Sequence, residues 1–95
     1  MEITRIQIHI INSEKEKGVR AFADVILDNT LIIKNLVVVE GDDNVHIVYW
    51  PSKFDNSGKR IDITHPITDD FRIQAQNAIL DKYEEVAKKY YKQNA

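Results

Sequence analysis

Apolar and polar residues alternate through most of the first half of the chain. Between residues 3 and 11, Ile6, Ile8 and Ile10 fall on one side and Arg5, Gln7 and His9 on the other, the period of a half-exposed strand. Asn12 to Gly18 reads as a polar, charged loop long enough to be mobile. The alternation resumes from Val19 to Asp28. Val19, Ala21, Ala23, Val25 and Leu27 share one face, and Arg20, Phe22, Asp24, Ile26 and Asp28 share the other. Asp28-Asn29 suits a two-residue hairpin turn, because both residues tolerate the left-handed region. Thr30 to Glu40 is apolar on both faces: Leu31, Ile33, Val37 and Val39 on one, Ile32, Leu36 and Val38 on the other. Such a strand belongs in the middle of a sheet with both faces covered. Gly41 to Asn44 turns the chain, Val45 to Trp50 forms a fourth strand, and Pro51 ends it because proline has no ladder donor.

The second half changes period. Asp62 to Pro66 is extended in part because the residue before a proline is pushed out of the helical region. Thr68 then offers an N-cap, with Asp69 and Asp70 in the first turn complementing the helix dipole. From there Phe71, Ala75, Ile79, Tyr83, Val86 and Tyr90 recur at spacings of four or three, widened by Ala78. The pattern predicts one amphipathic helix of roughly twenty residues, with Lys88, Lys89 and Lys92 near its negative end. The expected fold class is therefore α+β: an antiparallel β-meander of four to five strands followed by one long C-terminal helix. One helix covers one face of a meander, so the two-sided apolarity of residues 30–40 predicts a second cover. A second copy of the chain, in a homodimer, is the simplest one.

Ninety-five residues make one domain, 1–95. With no cysteine there are no disulfides, thiol catalysis or thiolate metal sites. The alternating N-terminus is a strand and not a signal sequence, and no apolar stretch reaches the ~20 residues needed to cross a bilayer. A soluble, cytoplasmic protein without membrane contact is the expectation. The formal net charge of −2 weighs against strong non-specific binding to nucleic acid. Its distribution is uneven. Residues 1–49 carry five Lys/Arg against eight Asp/Glu, and residues 50–95 carry eight against seven.

His9, His46 and His65 lack metal-ligand spacing, and Ser52, His65 and Asp62 lack the strand-to-helix elbow of a nucleophile. Three glycines build no phosphate cradle. No catalytic activity, metal, cofactor or small-molecule substrate is expected. The run from Tyr49 to Ile67 holds the remaining candidates. Lys53, Lys59 and Arg60 surround a turn at Asn56-Ser57-Gly58, with Trp50 and Phe54 beside them, and Arg72 follows in the first turn of the helix. Cations for phosphates interleaved with aromatics for bases suit a nucleic-acid contact surface. A solvated loop with Trp50 and Phe54 packed under it is the other reading of these residues.

The same run carries a family resemblance. Pro51-Ser52-Lys53, an insert ending near Gly58, and then Asp62-Ile63-x-His65-Pro66-Ile67 resemble the pattern M-P-S-K-R-x-x-D-G-E-F-x-D-I-x-H-P-I of the SpoVG family (stage V sporulation protein G, septation regulator). Ile3-Thr4-x-Ile6-x-Ile8 is similar to its opening strand, the Leu27-Asp28 region to its T-L-D turn, and Leu36-x-Val38-x-x-Gly41 to its R-V-I-x-G stretch. Arg72 with Ile73-Gln74-x2-Asn77-Ala78-Ile79-Leu80-x2-Tyr83 resembles its helix. The likeness covers nearly the whole chain. It implies a small, dimeric bacterial DNA- and RNA-binding regulator tied to sporulation, septation or cell division, without catalysis or cofactor. Lys53 matches the basic residue of P-S-K and Arg72 the arginine opening the helix, whereas Lys59 and Arg60 stand where the family has E-F. Trp50 replaces the methionine before the proline, and Phe54 replaces a second cation. A second reading keeps the dimer fold as a protein–protein interaction module without nucleic-acid affinity.

Overall fold

Strands β1 (Ile3–Ile10), β2 (Val19–Leu27), β3 (Leu31–Glu40) and β4 (His46–Tyr49) pair in chain order, each antiparallel to the next. They come from a computed structural model that describes residues 1–11 and 18–93, with backbone alone at residues 44 and 93. Two further strands, β5 (Ser52–Phe54) and β6 (Arg60–Asp62), form a separate hairpin, and helix α1 (Asp69–Gln93) follows. The α+β meander-then-helix order is the one the sequence predicts. The loop expected at Asn12 to Gly18 lies, except for Gly18, outside the described residues.

The β2–β3 turn forms where Asp28-Asn29 places it. Both residues have positive φ (50° and 51°), and the Thr30 amide donates to the Leu27 carbonyl at 2.9 Å. Side chains that hydrogen-bond locally make Asn and Asp the non-glycine residues best suited to this conformation.

The faces of β3 differ from the simple alternation. Its register with β2 passes from Val25↔Ile33 to Ala23↔Leu36, so β3 carries one extra residue. Asn35 sits at that bulge with φ 67°. An extra residue transfers every later side chain to the opposite face. Ile33, Leu36 and Val38 consequently share the helix side, while Ile32, Val37 and Val39 point away. Buried Asp24 holds the bulge: one carboxylate oxygen accepts the Asn35 amide at 3.2 Å, and the other lies 3.2 Å from His9 Nε2. A second shift, between Val19 and Ala21, turns Val19 towards Val39 and away from the Ala21 face.

Helix α1 lies on the face formed by Ala21, Ala23, Val25, Leu27, Leu36, Val38 and Val48, and buries Ala75, Ile79, Tyr83 and Ala87 against it. The four helix residues are spaced at four, with Phe71 and Leu80 packed at their flank. Leu36 and Ile79 are fully buried, a burial that contributes about 1.5–3 kcal/mol per side chain. Thr68 Oγ1 accepts the Phe71 amide at 3.4 Å, a long but correctly placed N-cap. The helix runs 25 residues, longer than its apolar stripe suggests. Among the described residues the other face of the sheet carries no helix. It carries half-buried Phe22, Ile26, Val37 and Val39 and exposed Ile32, Ile47 and Tyr49, an open and largely apolar surface towards β3 and β4, with Arg5, Gln7, His9 and Asp24 on its β1 side.

Candidate nucleic-acid interface

After Pro51 the chain reverses into a hairpin, where the sequence suggests only a loop with a turn. Ser52 pairs with Asp62, Lys53 with Ile61 and Phe54 with Arg60. Strands of three residues are too short for their alternation to stand out. The Pro51 carbonyl accepts the Ile63 amide at 2.7 Å, which closes the base of the hairpin.

Asp55 shapes the tip. Its Oδ1 accepts from the Ser57 hydroxyl at 2.6 Å and from the Ser57 and Lys59 amides at 2.9 Å each. These donors favour the ionised form, the Ser57 hydroxyl most, and hold the carboxyl below its ordinary value. Gly58 completes the turn with φ +85°, and a β-carbon there would meet nothing within 4 Å. Backbone conformation, not space, favours glycine at this point.

The four candidate cations do not form one cluster. Lys53, Lys59 and Arg60 are all exposed on the hairpin. Directly paired residues share a face, so Lys53 stands with Ile61 and Arg60 stands with Phe54 on the reverse side. The Arg60 guanidinium carbon lies 4.4 Å from the centre of the Tyr49 ring, within cation–π range. Arg72 serves a different purpose. It is half-buried, and its Nη2 donates at 2.9 Å to the Pro66 carbonyl, which also lies 2.9 Å from His65 Nδ1. One arm of Arg72 thus clamps the turn into α1.

The two aromatics separate as well. Trp50 is 7% exposed and belongs to the core, so it supports the hairpin from below. Phe54 is 73% exposed, which removes the reading that packs it under a loop.

Two residues join the site that the sequence did not single out. Tyr49 alternates onto the open face with Ile47, and only the folded hairpin brings Arg60 to it. Lys34, beside the bulge, lines a depression with Phe22, Ser52 and Arg60. A second depression that Arg60 also lines has Tyr49, Lys59, Asp62 and His65 in its wall. The histidines are dispersed: His9 faces Asp24, His46 lies with its ring centre 5.2 Å from that of Tyr83 at a tilt of 49°, and His65 meets Pro66. No group of three metal-ligating side chains occurs among the described residues.

The SpoVG family model matches residues 1–85, nine-tenths of the chain. The chain belongs to the SpoVG family. A relative from Acetivibrio thermocellus is 37% identical over 86 residues, covering 90% of this chain and 88% of the relative. One from Clostridium perfringens is 36% identical over 86 residues (90% and 92%), and one from Treponema denticola 32% over 84 (88% and 87%). The names of these relatives pair SpoVG with septation. The SpoVG match includes the whole β5–β6 hairpin and the first two-thirds of α1.

Proposed function

We propose that this SpoVG-family chain is a dimeric, nucleic-acid-binding regulator linked to septation, sporulation or developmental gene expression, acting in the cytoplasm and not as a catalyst. One observation carries the reading. The exposed β5–β6 hairpin presents Lys53, Lys59 and Arg60 within about eight residues of one another, with Arg60 laid on an aromatic ring. Phosphate contacts position a protein on nucleic acid, and a guanidinium backed by a ring keeps its outward N–H groups for them. Lys34 extends the charge along the depression. The septation link is supported by the names that the relatives carry.

Fluorescence anisotropy with short DNA and RNA oligomers at two salt concentrations tests it. Binding whose logarithm falls linearly with log salt supports the reading, each phosphate contact adding about 0.7–0.9 to the slope. A Lys59→Ala/Arg60→Ala variant with unchanged affinity and slope refutes this assignment of residues.

A second reading has its own support. The open apolar face and the net charge of −2 favour a dimeric protein–protein module without nucleic-acid affinity. It requires no binding to either oligomer at low salt, together with a protein partner recovered by pull-down.

A further inference from the structure

The hairpin carries more than charge. Phe54 is the most exposed aromatic side chain among the described residues, at 73%, and it sits on a strand where an aromatic has nothing to cover. Its cross-strand partner is Arg60, so ring and guanidinium share one face of the hairpin. Arg60 in turn lies on Tyr49, which is itself 38% exposed. The result is a ring, a guanidinium and a second ring joined by strand pairing and a cation–π contact, with Lys59 beside them and Lys53 on the reverse face.

We propose that this arrangement selects unpaired nucleic acid, Phe54 stacking on an exposed base while Arg60 and the neighbouring Lys59 hold the adjoining phosphates. The inference rests on the nucleic-acid reading above and names the form of nucleic acid that the site takes. Three physical points favour a single strand. A base offers its π-face only when it has no neighbour in a helix, so an exposed phenylalanine gains nothing from an intact duplex. A duplex also carries one charge per ~1.7 Å of axis, the denser field for a chain with acidic residues around its few cations. Asp55 and Asp62 flank the hairpin cations, and a flexible strand can pass between them where a rigid duplex meets both. Thirdly, a β-ribbon that reads the major groove presents polar side chains to base edges, and each of these three-residue strands gives one of its faces an apolar side chain, Phe54 or Ile61.

The experiment measures anisotropy at low salt with a mixed-sequence single-stranded oligomer, in DNA and RNA, and with the duplex of the same sequence. The full chain is compared with Phe54→Ala, Phe54→Leu and Phe54→Trp. The inference expects the single strand to bind at least ten-fold tighter than the duplex. Phe54→Ala and Phe54→Leu should lose about 5- to 150-fold on the single strand, the range for one base–aromatic stack, and Phe54→Trp should restore it. A 2-aminopurine base in the oligomer should be quenched by the parent chain and by Phe54→Trp alone. Equal affinity for both forms, or a silent Phe54→Leu, overturns the inference and leaves the broader reading standing. Absence of binding to every oligomer overturns both. Phe54 is outside the core, so matched thermal melts of the variants exclude misfolding as the cause.

Discussion

The Arg60 guanidinium carbon lies 4.4 Å above the ring of Tyr49, and this contact joins the hairpin to the open face of the sheet. At an exposed site it contributes about 0.5–1 kcal/mol, too little to matter much for the fold. Its value is orientation, since the contact with the ring restricts where the planar fork of donors can point. Arg60→Lys keeps the charge but not the planar fork. We expect Arg60→Lys to retain the salt slope and to bind several-fold more weakly. Arg60→Ala should lower the slope by about one unit as well. Anisotropy titrations at several salt concentrations separate the two effects.

The bulge in β3 makes a separate prediction about stability. Asp24 accepts the Asn35 amide and is only 8% exposed, so removing the carboxylate leaves that amide without its partner. Asp24→Ala should destabilise the chain by about 1–3 kcal/mol in urea unfolding. Asn35→Val, a β-branched residue forced to φ 67°, should destabilise by about 1–3 kcal/mol. Asn35→Gly should be close to neutral, because glycine adopts the same backbone without strain.

These two residues also mark where the sequence stopped being legible. Period-2 alternation located β1 and β2, a run apolar on both faces located β3, a turn and Pro51 bounded β4, and the run Phe71 to Tyr83 located the helix, because burial leaves a pattern that survives in the letters. Nothing in Thr30 to Glu40 announces an extra residue at Asn35, whose conformation depends on a carboxylate eleven positions earlier. The apolar content was readable and the assignment of its faces was not. The site divides in the same way. Lys53, Lys59 and Arg60 stand out by charge, but charge cannot show that Arg72 turns one arm to Pro66 or that Trp50 faces inward. The Tyr49–Arg60 contact spans eleven residues and exists only once three-residue strands have paired, below the length at which a pattern emerges.

Trp50 supplies a test that separates support from contact. It is part of the core cluster with Leu27, Leu36 and Ile79. Trp50→Ala should destabilise by about 3–5 kcal/mol, as large-to-small changes of buried aromatics do. Affinity per folded molecule should change far less than stability. Urea unfolding followed by far-ultraviolet circular dichroism, paired with anisotropy under folding conditions, measures both.

The tip of the hairpin should respond to acid. Hydrogen bonds from Ser57 and from the Ser57 and Lys59 amides hold the Asp55 carboxyl below its ordinary value. A group depressed in the folded state contributes stability that is present above its unfolded pKa, roughly 3.9 for aspartate, and is lost as pH falls through the folded value. The hairpin turn should therefore be fully formed at neutral pH and loosen only in acid, once the pH falls below the ordinary carboxylate range. Amide resonances of residues 55–60, followed by NMR through an acid titration, should shift together. In Asp55→Asn that transition should be absent, with the turn already weakened at neutral pH.

The open face of the sheet sets the last expectation. Ile32 and Ile47 are exposed in a single chain and surround the half-buried Val37 and Val39. Apolar side chains gathered on an uncovered sheet face in this way are uncommon on a monomer, and the same patch on two copies makes a self-complementary C2 interface. Light scattering after size exclusion should give twice the 11.0 kDa chain mass at micromolar concentration. Ile32→Lys and Ile47→Lys sit on different strands and outside the helix-covered core, so each leaves the fold of one chain intact. Their combination places like charges across the proposed two-fold interface. The double variant should run as a monomer with an unchanged circular dichroism spectrum, and its nucleic-acid affinity should fall as two linked hairpins become one. A parent chain that is already monomeric at that concentration refutes the second copy as the cover of this face.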